Sequence, residues 1–359
     1  LRALEIPERE RTAKGIPIVN LLPLQNGETI QAIIDTREFP GTRYLFFVSR
    51  QGQVKKTAFN EYDSSRRDGL IALKLRPKDE LVRVIEIAVS EGINEVRLTG
   101  GEPLLRPDIV EIVSRINAIT NAPTLTMTTN ALTLEKVAKP LVDAGLTRIN
   151  ISLDTLDRDR FKLMTHRDRI DDVFAGIKAA QDAGINPIKI NAVLLKGVNA
   201  DEAPALLEWA LANNLALRFI EQMPLDAGGI WERSALVTAD DIYADLSTRY
   251  ELTPCDGRGS SPAEEFFVNG GPATVGIIGS VTRPFCGACD RLRLTSDGQL
   301  RSCLFSLEEM DLRTAMRNGA SDEDIAARFR KTVAGKLPGH GINDPKFIQP
   351  QRPMSAIGG

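Results

Sequence analysis

The sequence predicts an α/β chain: a run of alternating helices and parallel strands, followed by a cysteine-bearing C-terminal domain and preceded by a short all-β segment. Three observations predict it. Residues 1–76 hold short apolar runs separated by Gly and polar turns. From Lys78 onward, stretches of helical apolar spacing alternate with short strand-like runs. Three of the four cysteines then cluster as Cys286, Cys289 and Cys303, a C-x2-C-x13-C pattern. Together they divide the chain into residues 1–80, 81–225 and 226–359.

In the first segment, RYLFFVSRQGQVKKTAF is two apolar runs around Gln51-Gly52, where glycine supplies the positive φ of a tight turn. GETIQAIIDTREF and GLIALKL are further short strands. KDELVRVIEIAVSEGI opens the second segment with helical spacing at Leu81, Val84, Ile85 and Ala88. Four helical stretches follow, PDIVEIVSRINAI, LEKVAKPLVDAG, DDVFAGIKAAQDAG and DEAPALLEWALANN. They separate five strand-like runs, EVRLTGG, TLTMTTN, RINISLD, IKINAVLL and LALRFIEQM. Such βα units form parallel sheets with right-handed crossovers. Ligand-binding residues in α/β barrels gather where the strands end. Here those ends read TGGEP, TTNA, SLDT, KGVN and EQMP; ordinary turn chemistry would also produce this polarity.

Composition narrows the function. The net charge is −3 over 359 residues, which gives no global attraction to nucleic acid or membrane. Residues 1–80 hold 14 basic and 11 acidic side chains and residues 81–359 hold 31 and 37, a mild asymmetry between the two parts. No run approaches the roughly 20 apolar residues of a membrane span. Clustered cysteines point to metal chemistry in a reducing compartment, so a cytoplasmic location is expected. The first residue is Leu rather than Met, which reads as an incomplete frame.

The motifs leave alternatives open. Gly100 and Gly101 admit a ligand close to the backbone, and Glu102 can accept hydrogen bonds from an ammonium group; a plain strand-to-helix turn would look the same. Met223 suits a ligand pocket or core filling. Lys189 lies between Ile188 and Ile190, so its side chain points opposite theirs, into a barrel or onto its outer rim. Cys286, Cys289 and Cys303 suit an iron–sulfur cluster, or a zinc ion completed by Cys255 or a histidine. His166 and His340 read as surface or capping residues, and Cys255 as a surface thiol.

RLTGGEPLLR, TMTTNA, INISLDTL, INAVLLKGVN, RFIEQMPL and PFCGACDRLRLTSDGQLRSCLF together resemble the GTP 3′,8-cyclases of molybdenum-cofactor biosynthesis, radical-SAM lyases, over about residues 80–359. The terminal RPMSAIGG resembles that family's Gly-Gly tail. The resemblance implies an incomplete (β/α)6 radical-SAM barrel with a C-terminal Fe–S domain. It implies S-adenosylmethionine contacts at Gly100, Gly101, Glu102, Ser152 and Met223, and GTP contacts at Arg97, Thr128, Lys189, Arg291, Leu292 and Arg293. It further implies one [4Fe-4S] cluster on Cys286, Cys289 and Cys303 whose open iron meets guanine, and a homodimer. In that family an adenosyl radical abstracts the ribose 3′ hydrogen and the C3′ radical attacks C8.

The family's first barrel strand leads into a C-x3-C-x2-C loop that holds a second cluster. The corresponding stretch here, FFVSRQGQVKKTAF…SSRRDGLIALKL, has no cysteine. With EIPERERTAKGIPIVNLLPLQNGETIQAII it instead resembles the C-terminal β-pinwheel of DNA gyrase, as a partial blade. Arg50, Lys55, Lys56, Arg66 and Arg67 would be its phosphate contacts. For a single blade they read as solvated charges and DNA binding is not expected, because wrapping sums many phosphate contacts. The sequence therefore reads as a chimera joined at about residues 76–84. The second cluster is expected to be absent and the chain catalytically incompetent, with no catalytic residue assigned. The alternatives are a non-catalytic fusion with a DNA-binding blade, or a zinc-stabilised structural domain.

Overall fold

The computed structural model describes residues 44–48, 54–58, 81–226 and 231–358. The chain divides into two compact units, Leu1–Asp79 and Glu80–Gly359. In the first, β1 (Tyr44–Val48) and β2 (Val54–Ala58) pair antiparallel, with Tyr44 opposite Ala58 and Val48 opposite Val54. This pairing agrees with a hairpin about Gln51-Gly52. The turn itself, the strands expected from GETIQAIIDTREF and GLIALKL, and Arg50, Arg66 and Arg67 lie outside the described residues; Lys55 and Lys56 fall on β2.

The second unit is built on one sheet. β3 (Glu95–Leu98), β4 (Thr124–Thr129), β5 (Arg148–Ser152), β6 (Ile188–Val193) and β7 (Ala216–Ile220) lie side by side in chain order and are parallel. Beyond β7 the sheet continues through the hairpin strands β8 (Leu252–Pro254), β9 (Glu264–Val268) and β10 (Thr274–Ile278). β10 is a sixth parallel strand against β7, and β9 and β8 add antiparallel. The sheet therefore runs across residue 225 without a break. Among the described residues β3 forms one edge of this sheet.

Each sheet face follows from the period-2 alternation of its strands. One face carries Leu125, Met127, Ile149, Ile151, Ile188, Ile190, Leu217, Phe219, Val275 and Ile277, all buried in the main core. Helices α2 (Ile109–Asn117), α3 (Ala138–Asp143), α5 (Ile170–Asp182), α6 (Ala203–Ala212) and α7 (Ala239–Leu246) pack further buried residues into that core. The other face carries Arg97, Thr126, Thr128, Arg148, Asn150, Lys189, Asn191 and Arg218. Parallel strands are ordinarily apolar on both faces, so a polar second face is a ligand-lining feature. Lys189 thus belongs to the interior, not to the outer rim.

The helices depart from the sequence reading at three places. α1 (Leu81–Ser90) buries two faces rather than one: Val82 and Ile85 join the main core, while Val84, Ile87 and Ala88 meet Ile325 and Phe329 of α9 (Asp322–Ala334). LEKVAKPLVDAG splits into a 3₁₀ turn, Leu134–Lys136, and α3. Pro140 has no N–H and its ring clashes with the carbonyl four residues earlier, so one continuous helix cannot form. α4 (Arg158–Thr165) has no periodic signal because it buries only Phe161; its start is set by Asp157, whose side chain accepts from the Arg160 N–H. His166 ends that helix in the left-handed region, a cap as expected.

The C-terminal part adds a small antiparallel sheet, β11 (Arg293–Leu294), β12 (Gln299–Arg301) and β13 (Met310–Asp311), with α8 (Arg313–Arg317) and the terminal α10 (Met354–Ile357). Among the described residues no helix is long and apolar enough to cross a membrane.

Candidate active site

The polar sheet face gathers cations from four strands. Arg97 on β3 donates through Nε to Thr126 Oγ1 at 3.3 Å and through Nη2 to Glu95 at 3.2 Å. Arg148, at the start of β5, pairs with the other oxygen of Glu95. Lys189 on β6 and Arg218 on β7 follow, and Glu265 of β9 stands 3.8 Å from Arg218. Gly276 lies beside Arg218 in register, and a Cβ there would meet Arg218 Cγ at 3.0 Å, so glycine leaves the guanidinium stem its room.

Burial lowers the Lys189 ammonium to about 8, reinforced by Arg218, Arg148 and Arg97 and opposed by Glu265. Burial also lowers Arg97 and Arg218, with the neighbouring arginines adding to it. Arg293 is pushed down to about 10 by burial and then by Arg291 and Arg97, against the opposing cysteines Cys303 and Cys289. Arg97, Arg148, Lys189, Arg218, Arg291 and Arg293 thus form one mutually repelling group, with Glu95 and Glu265 as its carboxylates. Such a group is relieved by a polyanion.

The structure brings Arg97, Lys189, Arg291 and Arg293 together. Thr128 shares the face, and its Oγ1 accepts from Asn150 at 3.4 Å. Leu292 turns its side chain into the apolar cluster of α1 and α9, leaving its backbone for any ligand. The sequence reading passed over Arg148, Arg218 and Glu265. Arg218 lies between Leu217 and Phe219 just as Lys189 lies between two isoleucines, so the same alternation pointed to it.

At the C-terminal strand ends, Gly100 has φ +140 with open space where a Cβ would be, a conformation that L side chains rarely adopt. Ser152 is exposed at the end of β5. Met223 packs at the edge of a third apolar cluster with Leu225 and Phe305. Glu102 is already engaged by the protein: its carboxylate accepts from Leu104 N at 2.9 Å, Thr129 Oγ1 at 2.6 Å and Asn130 N at 2.7 Å. It ties the end of β3 to the end of β4, with two of these bonds on Oε1 and one on Oε2.

Cys286, Cys289 and Cys303 are free and partly buried. Arg291 Nη2 donates to Cys289 Sγ at 3.4 Å, and the Phe305 N–H reaches Cys303 Sγ at 3.5 Å. The His340 N–H donates to Cys286. Burial pushes the Cys286 thiol up, reinforced by Cys303 and Cys289. At Cys289 burial is outweighed by the Arg291 hydrogen bonds and charge, and the thiol falls below its usual value. Arg291 also lies 4.8 Å over the Phe285 ring, and its Nε is buried without a partner.

Three soft thiols on adjacent segments, ringed by cations, fit a cluster in donor chemistry. Among the described residues no three ligating side chains converge on the position of a single ion; a four-iron cluster, being larger, spreads its ligands around itself. Cys255 feels the charges of Glu265 and Asp256. Both ring nitrogens of His340 are occupied, Nδ1 accepting from Ile342 N at 3.2 Å and Nε2 facing Ser280 O at 3.1 Å. The chain's end reaches the same place: Gly358 O accepts from Arg293 Nη1 at 2.9 Å, and Arg352 anchors the tail to Asp297 and Glu309.

In the comparisons with known proteins the radical SAM match begins ahead of the join expected at about residues 76–84 and takes in SSRRDGLIALKL, read above as gyrase-like. Residues 62–210 match the radical SAM superfamily, residues 215–342 match Molybdenum Cofactor Synthesis C, and residues 1–37 match the DNA gyrase C-terminal domain, beta-propeller. A GTP 3′,8-cyclase of Streptomyces coelicolor is 57% identical over 284 residues, 78% of this chain and 83% of that protein. One of Rhodococcus opacus is 52% identical over 291 residues, 80% and 82% of the two chains. One of Mycolicibacterium smegmatis is 51% identical over 286 residues, 78% and 79%. With its parallel α/β sheet, its cation-lined face and its C-terminal cysteine site, the chain belongs to the GTP 3′,8-cyclase family.

Proposed function

We propose that this chain binds GTP on the polar face of its sheet and holds one [4Fe-4S] cluster on Cys286, Cys289 and Cys303. It is a GTP 3′,8-cyclase of molybdenum-cofactor biosynthesis by descent that does not cleave S-adenosylmethionine by itself. The observation that carries the reading is the group of six cations facing two carboxylates. Arg97, Arg148, Lys189 and Arg218 offer a triphosphate charge-assisted donors from four neighbouring strands. Arg291 and Arg293 bring the same field to the cysteine site, where a cluster on three thiolates would leave one iron free for the purine.

S-adenosylmethionine would lie at the opposite strand ends, its backbone contacts at Gly100 and Gly101 and a hydroxyl at Ser152, with Met223 at the lip. Glu102 holds the loop and keeps acceptor capacity on Oε2 for the ammonium group. Reductive cleavage needs a cluster at the sulfonium that side chains cannot replace. The sequence has four cysteines, and none lies before Cys255.

The test is an anaerobic titration of the reconstituted chain with GTP, guanosine and S-adenosylmethionine, followed by product analysis with dithionite. GTP should bind and guanosine should not, because the phosphates provide the anchor. Lys189→Ala should weaken GTP by about tenfold, the size of one charge-assisted contact. No 5′-deoxyadenosine should form. Equal binding of guanosine would sink the phosphate reading, and 5′-deoxyadenosine above a protein-free control would sink the claim of incompetence.

A further inference from the structure

The segment after α9 inverts the usual sorting of side chains. Leu337 is 74% exposed while the neighbouring Lys336 is turned inward and partly buried. An ammonium group is drawn in over a leucine only where its donors meet strong acceptors. Lys336 Nζ donates to Arg291 O at 2.8 Å and to Ser302 O at 2.7 Å. Arg291 follows Cys289 by two residues, and Ser302 directly precedes Cys303. One side chain therefore joins the backbones of two cysteine arms with 13 residues between their cysteines. Four residues on, the His340 N–H donates to the sulfur of the third, Cys286.

The base of this segment is fixed. α9 packs Ile325, Ala326 and Phe329 against Val84, Ile87 and Ala88 of α1, and Arg330 pairs with Glu91 at 2.7 Å. The position of Lys336 is thereby referred to the barrel. From this geometry we propose that Lys336–His340 is a clamp that sets the spacing of the three cysteine arms. Lys336 is its positioning residue and governs how tightly the cluster is held. The inference rests on the reading of Cys286, Cys289 and Cys303 as cluster ligands.

Partners that orient metal ligands typically change affinity by about 10–100-fold when removed. The test uses the full chain, reconstituted anaerobically, and follows iron loss to a chelator by absorbance, with the EPR spectrum of the reduced cluster alongside. Lys336→Met keeps the stem and removes the donors; it should release iron at least about tenfold faster and shift the EPR signal. Lys336→Arg should recover most of the difference. Lys331→Met, which removes an exposed ammonium from α9 without touching the carbonyls, should release iron at the parent rate. If Lys336→Met does not fold, Lys336→Gln, which keeps amide donors without the charge, should give an intermediate rate. Release within twofold of the parent, or equal acceleration by Lys331→Met, overturns the clamp. A parent chain that holds no iron overturns the ligand reading itself, and the clamp with it.

Discussion

Lys189 concentrates the electrostatics of the site. Its ammonium lies near 8 because burial removes water and Arg218, Arg148 and Arg97 repel its charge, with Glu265 alone opposing among the named groups. A bound triphosphate reverses that balance and raises the group again. The sign follows: below pH 8 Lys189 is already protonated and GTP binds at full strength, whereas above pH 8 binding must first take up a proton. The affinity for GTP should therefore hold steady from about pH 7 to 8 and fall by severalfold up to about pH 9.5. Lys189→Ala should abolish that fall while leaving the weaker binding nearly constant with pH. Isothermal titration across this range reads it directly, and an unchanged fall in the variant would assign the proton elsewhere.

The loops at the strand ends are held by buried struts. Glu221, directly after β7, is fully buried and accepts from Ala239 N and Val281 N at 2.7 Å, Thr282 N at 2.9 Å and the Thr282 hydroxyl. It joins the start of α7 to the loop that leads from β10 toward Cys286. Asn199, also fully buried, links Asp154 O, Val193 O and Leu195 N between β5 and β6. Asp154 in turn accepts from the Val193 N–H, and burial pushes its carboxyl up to about 6 against that bond. Removing Glu221 leaves several buried donors without partners, each costing about 1–3 kcal/mol. Glu221→Ala should therefore lower stability by roughly 3 kcal/mol or more and the melting midpoint by roughly 6–12 °C. Differential scanning calorimetry decides it, and a shift under 2 °C or so would mean that water takes over these donors.

Across the whole molecule the cysteines set the metal stoichiometry. Three of them feel one another's charge, and Cys255 lies beside Glu265 and Asp256. The reconstituted chain should carry about four irons, the content of one cubane cluster. Cys303→Ser should abolish the iron and Cys255→Ser should leave it intact. Iron and zinc analysis of the three proteins checks this, and zinc lost on Cys255→Ser would favour the structural-zinc alternative. The C-terminal tail belongs to the same assembly. Arg352 bridges Asp297 and Glu309, Glu309 also holds the buried Arg301, and Gly358 meets Arg293, so the last residues close on the cysteine hairpin.

The sequence by itself determined the order of helices and strands from residue 81 to the end of β7, α4 excepted, because apolar periodicity records which face each element buries. It likewise determined the inward direction of Lys189 to within two choices, and the cysteine triad through its spacing. Only the tertiary structure decided between those two choices, since alternation names a face and not its surroundings. It also decided which polar loop residues act as struts: Glu102, Asn199 and Glu221 each join neighbouring segments through hydrogen bonds that the sequence does not display. The sixth parallel strand, β10, escaped the sequence reading because its pairing with β7 skips two intervening strands, a non-local contact with no local signal. Lys336 escaped it for the same physical reason. Its meaning lies in two carbonyls 34 and 45 residues away, and hydrogen bonds to distant backbone leave no pattern in sequence.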